Sequence, residues 1–192
     1  WADGYMYQNK NNSTLGVGLV ECDMLELEPH LDRIGVWNKR VSKNKKIESW
    51  KPTKSLTTNN KRLYEFLKEN DYCEKSNKSA DKILLIIPNN LKHYFFRGLS
   101  DGDGCFYYYK PKKGPTLRQF SISSSREQDW SYVEKLFNYL GIKYSISVGK
   151  SGSQIRITNK KGIKLFGNYI YQNYDDIGLS RKHEKYLEIT QI

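Results

Sequence analysis

The sequence predicts an α/β protein, more closely α+β, made of two similar ββαββα units in one chain, and three observations predict it. The chain repeats itself at a spacing of 100 residues: Asp3-Gly4 returns as Asp103-Gly104, Tyr7 as Tyr107, Thr58-Asn59 as Thr158-Asn159, Lys61 as Lys161 and Phe66 as Phe166. Each Asp-Gly opens an aromatic-rich strand, and the strand after the following turn alternates apolar with other residues, the signature of a strand with one buried face. Between the strand pairs, apolar residues recur at helical spacing and stop at a glycine.

Taken in order, residues 5–9 and 105–109 are aromatic-rich first strands, each closed by a turn of Gly, Pro, Asn and Lys at residues 10–13 and 111–115. The second strands follow, with Leu15, Val17 and Leu19 alternating in the first unit and Phe120 and Ile122 in the second, where Gln119, Ser121 and Ser123 take the opposite face. Helices come next: Leu25, Leu27, Leu31 and Ile34 precede Gly35, and Trp130, Val133, Leu136, Phe137 and Leu140 precede Gly141. A second hairpin pairs residues 36–43 with 48–58, and 142–149 with 154–158; Ile142, Tyr144, Ile146 and Val148 supply the apolar alternation in the latter. Helices over 61–70 and 162–174 close the units, and a further helical stretch spans 180–189. The first unit is placed at residues 1–73, a linker at 74–88, and the second unit with its helical extension at 89–192. Within that linker the polar stretch 74–81 gives way to the apolar run 83–87 and Pro88, after which Asn89 or Asn90 caps a helix running into Asp103-Gly104.

Lys+Arg number 32 against 21 Asp+Glu, a net charge of +11 over 192 residues, which calls for a polyanionic partner. Aromatics at 14% are too many for a floppy basic tail, so a folded nucleic-acid binder fits best. No apolar run approaches the ~20 residues needed to cross a bilayer, so no membrane role is expected. Cys22, Cys73 and Cys105 are odd in number and widely spaced, which indicates neither a disulfide framework nor a zinc site and suits a reducing, intracellular setting. The abundance of Lys, Asn, Ile and Tyr is that of an AT-rich coding sequence, which suits phage, organelle or low-GC bacterial hosts. The chain opens on Trp1-Ala2-Asp3-Gly4 without a methionine, and the helix that precedes Asp103 has no counterpart before Asp3, so further residues are expected upstream.

Phe96-Arg97-Gly98-Leu99-Ser100-Asp101-Gly102-Asp103-Gly104 resembles the nine-residue signature of the LAGLIDADG homing endonucleases, matching at Gly98, Leu99, Asp101, Asp103 and Gly104, with Arg97 and Ser100 more polar than usual. Trp1-Ala2-Asp3-Gly4 is similar to the tail of a first copy. Pro88 and the terminal Leu179-Ser180-Arg181-Lys182-x-Glu184-Lys185 stretch fit the same family. The resemblance implies two αββαββα units related by a pseudo-two-fold axis, their motif helices side by side and their sheets forming a DNA-binding saddle. It implies a monomer that acts as a pseudo-dimer on double-stranded DNA. It also implies catalytic, metal-holding acids at Asp3 and Asp103, main-chain carbonyl ligands at Ala2 and Gly102, and assisting bases at Lys61 and Lys161, with Lys160 an equally placed competitor. Paired carboxylates repel unless neutralised, and hard oxygen ligands favour Mg²⁺.

An EF-hand loop also begins with D-x-D, but counting from Asp101 puts Phe106 where glycine is needed and Lys112 where a bidentate glutamate is needed. A plain Asp-Gly turn is the other reading, and the recurrence of two such pairs at the head of matched hairpins argues against it. Candidate DNA contacts are the strand residues Tyr5, Tyr7, Arg40, Lys43, Lys54, Tyr107, Tyr109, Gln119, Ser121, Ser123, Lys143, Gln154, Arg156 and Thr158. Arg156 stands between Ile155 and Ile157 and so points away from the core, toward a groove that admits a β-ribbon. His30, His93 and His183 are scattered and carry no expected role. The expected function is metal-dependent cleavage of a long, asymmetric double-stranded site. The alternatives are an RNA-splicing maturase or DNA-binding regulator that keeps the fold without cutting, and the endonuclease domain of an intein.

Overall fold

A computed structural model of the chain describes residues 1–10, 12–43, 50–174 and 177–192. It divides into two compact units, Trp1–Cys73 with Asp176–Leu179, and Glu74–Asp175 with Ser180–Ile192. Residues 74–88, read from the sequence as a linker, carry a short helix and group with the second unit.

In the first unit, β1 (Gly4–Gln8), β2 (Ser13–Val20), β3 (Asn38–Ser42) and β4 (Thr53–Thr58) form an antiparallel sheet in the order β1-β2-β4-β3. Helices α1 (Glu21–Leu31) and α2 (Lys61–Glu69) complete it. Met6 lies opposite Leu15, and Leu15 opposite Thr58, so these residues share one face with Val17, Leu19 and Leu56. That face is the core, where Leu15, Met24, Leu56, Tyr64 and Tyr72 are buried. The helix after β2 differs from the expected one in which residues it buries. Met24 is fully covered while Leu25 and Ile34 are exposed, because α1 begins at Glu21 and ends at Leu31, which turns Leu25 outward and leaves Ile34 beyond the helix.

The second unit holds the short helix α3 (Asp81–Ile86) and the longer α4 (Lys92–Asp103), then β5 (Gly104–Tyr109), β6 (Leu117–Ser124), α5 (Ser131–Tyr139), β7 (Ser145–Val148), β8 (Ser153–Ile157), α6 (Lys160–Ile170) and α7 (Ser180–Gln191). Its sheet order, β5-β6-β8-β7, repeats that of the first unit. Phe106, Phe120 and Ile157 stand in register on the inner face, as do Gly104, Ile122 and Ile155. Phe166 from α6 closes over them, its ring 4.6 Å from Phe120 and 5.3 Å from Phe137. Gly141, at φ 66°, occupies the left-handed position that ends α5, as the sequence anticipates. Strand β7 departs from its alternation: Ile146 and Val148 lie in an edge strand and are exposed at 40% and 61%, while Ile142, ahead of the strand, is buried.

The register also corrects the repeat. Gly4 and Gly104 are equivalent at the fixed spacing, but Leu15 opposite Met6 matches Phe120 opposite Phe106, five residues further along, because the first hairpin of the second unit has the longer turn. By the fourth strand the spacing is one residue short: Thr58 opposite Leu15 matches Ile157 opposite Phe120. The matches of Thr58-Asn59 with Thr158-Asn159 and of Phe66 with Phe166 are therefore coincidences of type, and Phe66 is exposed where Phe166 is buried.

Candidate nucleic-acid interface and acidic junctions

Asp103 is the last residue of α4, and Gly104 opens β5. The Gly104 N–H donates to the Ser100 carbonyl, and a Cβ at Gly104 would lie 2.4 Å from that same oxygen, so only glycine allows the helix to pass into the strand this abruptly. Asp103 is half-buried, and its charge is felt by Tyr132, whose phenol is pushed up first by burial and then by Asp103. The Gly102 carbonyl belongs to the final turn, whose carbonyls have no intrahelical donor ahead of them. In the first unit the same Asp-Gly pair heads β1, with Asp3 exposed and Ala2 half-buried.

Among the described residues, no group of three or more His, Cys, Asp or Glu side chains converges to hold a metal ion. An all-protein cage is therefore absent there. A junction that offers one carboxylate and one main-chain carbonyl suits Mg²⁺, which keeps several waters and takes one or two carboxylates together with substrate phosphates. The residues present fit that ion.

The face of each sheet opposite its core carries most of the residues singled out for DNA contact. In the second unit Tyr107, Tyr109, Gln119, Ser121, Ser123, Gln154 and Arg156 share this face by register. Lys143 and Thr158 flank β7 and β8 and are exposed. Gln119 donates to Ser121 at 3.3 Å, and Gln154 to Ser123 at 3.1 Å, so the amides are pre-arranged along the strands. Arg156 Nε is buried and makes no hydrogen bond among the described residues. In the first unit Tyr5, Tyr7 and Arg40 take the equivalent face, and Lys43 lies exposed just past β3.

Two of the expected contacts are not offered to a ligand, one by its face and one by its burial. Lys54 shares the inner face with Leu56 and Thr58, and its ammonium is taken up by Glu28 of α1 rather than offered to a ligand. Glu28 also accepts from Lys39 at 2.7 Å, and hydrogen bonds from Lys39 and then Lys54 hold its carboxyl below the usual range. Ser121 lies on the correct face but is only 4% exposed, since it sits in an inner strand between Cys105 and Arg156.

The lysines also shift partners. Asn60 caps α2 by accepting from Leu63 N–H, and Asn159 caps α6 by accepting from Gly162 N–H, so Lys61 and Lys160 are the first helical residues of their units and Lys161 is the second. Lys160 is thus the positional equivalent of Lys61, and all three side chains are exposed. Cys105 and Leu117 were missed on the open face of the second sheet; both alternate with buried or half-buried neighbours, which the strand period alone identifies.

The family model for LAGLIDADG endonucleases matches residues 96–192, just over half of the chain. This chain belongs to the LAGLIDADG endonuclease family. No curated protein sequence matches it. Among solved structures it is similar to the I-SmaMI LAGLIDADG homing endonuclease bound to cleaved DNA, at 16% identity and a TM-score of 0.65, over 99% of this chain and 84% of that one. It is likewise similar to the meganuclease I-AabMI bound to uncleaved DNA, at 13% identity and a TM-score of 0.65, over 99% and 86%, and to I-CpaMI bound to uncleaved DNA, at 10% and 0.61, over 99% and 86%. At these identities the likeness carries the fold, and the two-sheet α+β architecture of this LAGLIDADG chain is the one it shares with them. No helix among its described residues is long and apolar enough to cross a membrane.

Proposed function

We propose that this LAGLIDADG protein is a homing endonuclease that binds a long, asymmetric double-stranded DNA site as a monomer and hydrolyses one phosphodiester bond in each strand with Mg²⁺. The observation that carries the reading is the recurrence of one arrangement in both units: an Asp-Gly pair at the root of a sheet whose outward face is lined with polar, aromatic and basic side chains. The relatives it resembles were solved on DNA, and the net charge of +11 favours the same partner here.

In this reading the outward faces bind and orient the duplex. The half-buried Arg156 on the outward face and the Gln119 and Gln154 amides are donors suited to base edges or phosphates. Asp3 and Asp103, with the Ala2 and Gly102 carbonyls, would hold the divalent ions. When bound, such ions neutralise charge on the scissile phosphate and activate the attacking oxygen. Lys61 and Lys160, each opening a helix directly after the last strand of its sheet, are the candidates to orient water or steady the developing charge, with Lys161 the neighbour to be tested beside Lys160. In this reading water attacks the phosphorus directly and no covalent intermediate forms.

The test is selection of a cleaved site from a randomised duplex library in Mg²⁺, followed by assay in EDTA. Asp103→Asn should abolish cleavage and leave duplex affinity nearly unchanged. Cleavage in EDTA, or full activity in the variant, overturns the mechanism. Affinity should fall steeply with salt, log K dropping by about 0.9 per unit log salt for each phosphate neutralised. Preference for structured RNA without cleavage would favour the maturase reading instead, and a protein-splicing segment fused to the chain would identify an intein domain.

A further inference from the structure

The apolar run at residues 83–87 supplies most of α3, yet Leu84 alone of it is buried, while Leu85 is 84% exposed. Between α3, α4, α5 and α6, wholly within the second unit, lies a cavity of about 590 Å³. That volume is in the range of about 300–1,000 Å³ that holds drug-sized ligands. Its walls are apolar and aromatic: Leu84, Phe96 and Tyr132 are buried, and the Phe96 ring lies 6.3 Å from Tyr132, tilted from it by only 21°, and 6.1 Å from Tyr169. Burial holds the phenols of Tyr132 and Tyr169 above the usual range, so neither wall carries negative charge at neutral pH.

The rim is basic. Asp81, the acid of the lining, is already paired with Lys135 at 2.5 Å. Lys92, half-buried in the first turn of α4, also lines the cavity and has no hydrogen-bond or ion-pair partner among the described residues. One ammonium is therefore left over beside an apolar, unfilled space. A neutral ligand would desolvate Lys92 further without pairing it, and a cation would meet like charge, so an anion is the class that fits. The cavity also stands apart from the surface read as binding DNA. Phe137 of α5 and Phe166 of α6 cover the inner face of the sheet, whereas Tyr107, Gln154 and Arg156 leave from the outer one.

We propose that this cavity is a binding site for a small amphiphilic organic anion, its apolar body against Leu84, Phe96 and Tyr132 and its carboxylate or sulfonate at Lys92. The proposal does not depend on the cleavage reading.

The test uses the intact chain and two probes, anilinonaphthalene sulfonate as an aromatic anion and dodecanoate as an aliphatic competitor. Fluorescence of the aromatic probe should report one saturable site with a dissociation constant of about 10–100 µM. Changes in the amide NMR spectrum of the wild-type chain should centre on residues 84–96 and 132–139. Lys92→Met should weaken the probe about tenfold, and Lys92→Arg, which keeps the charge, should recover most of that loss. Lys150→Met, which removes an equal charge from an exposed position outside the cavity, should bind as wild type does. Displacement by dodecanoate supports a site that accepts alkyl chains, and its failure to compete supports one confined to aromatic anions. A mixed-sequence DNA duplex should leave the probe in place. The proposal is overturned if the duplex displaces the probe, if the spectral changes fall on the outward face of the sheet, if Lys92→Met binds like wild type, or if Lys150→Met is weakened equally.

Discussion

At Gly104 a Cβ would meet the main-chain oxygen of Ser100 at 2.4 Å, whereas at Gly4 it would meet the hydroxyl of Tyr72 at 2.0 Å. The two Asp-Gly pairs look interchangeable in the sequence, yet one is confined by the backbone of its own helix and the other by a side chain from the far end of its unit, itself packed edge-on against Trp1 at 5.7 Å. The same contrast runs through the cores. The second unit packs Phe106, Phe120, Phe137 and Phe166 ring against ring, while the first relies on Leu15, Met24, Leu56, Tyr64 and Tyr72. A shared strand order therefore fixes where the acid sits and leaves open what holds it there.

The largest expected effect exposes the false match between Phe66 and Phe166. Phe166→Ala should cost about 3–5 kcal/mol in urea unfolding, because it removes a fully buried ring, and Phe66→Ala about 1–2 kcal/mol, since that ring is 40% exposed. Equal costs would mean the two helices are buried alike. Next come the junctions. Gly104→Ala should destabilise by about 1–3 kcal/mol, with no side-chain substitution able to relieve it, because the clash is with backbone. Gly4→Ala clashes with a hydroxyl that can be removed, so Tyr72→Phe should recover much of its cost in a double-mutant cycle; strict additivity would deny that Tyr72 is the obstacle.

Smaller effects come from the helix caps. Asn60→Ala and Asn159→Ala should each cost about 1 kcal/mol, an equivalence that the spacing of 100 residues would not have paired. The smallest concerns pH. Hydrogen bonds from Lys39 and Lys54 lower the Glu28 carboxyl in the first unit, and those from Lys185 and Tyr108 lower Glu188 in the second. A carboxyl whose folded pKa lies below its unfolded value stabilises the fold at neutral pH, and that contribution is lost as pH falls through the lowered value. The stability gap between wild type and Glu28→Gln, or Glu188→Gln, should be present at neutral pH and close in acid. A gap that widened in acid would reverse the assignment.

Strand period made much of the interface legible before any coordinates. Arg156 between two isoleucines, and Gln119, Ser121 and Ser123 around Phe120 and Ile122, could only face outward, and they do. The same rule, applied to Lys54-x-Leu56-x-Thr58, sends Lys54 inward, where Glu28 takes up its charge. Ser121 shows the limit of the rule, because alternation gives direction and not access. The pairing of Lys61 with Lys160 needed the caps and ladders, as turn lengths do not announce themselves.

The uneven spacing of the two halves has an evolutionary consequence. Equivalent residues drift from five positions beyond the fixed spacing at the second strand to one position short of it at the fourth, and the differences arise in the connections between strands. A slip of one residue within a strand would turn its entire polar face into the core, whereas a longer turn changes nothing on either face. After a duplication, each half of such a gene can therefore gain or lose codons at its loops while the outward face of its sheet stays in phase with its core.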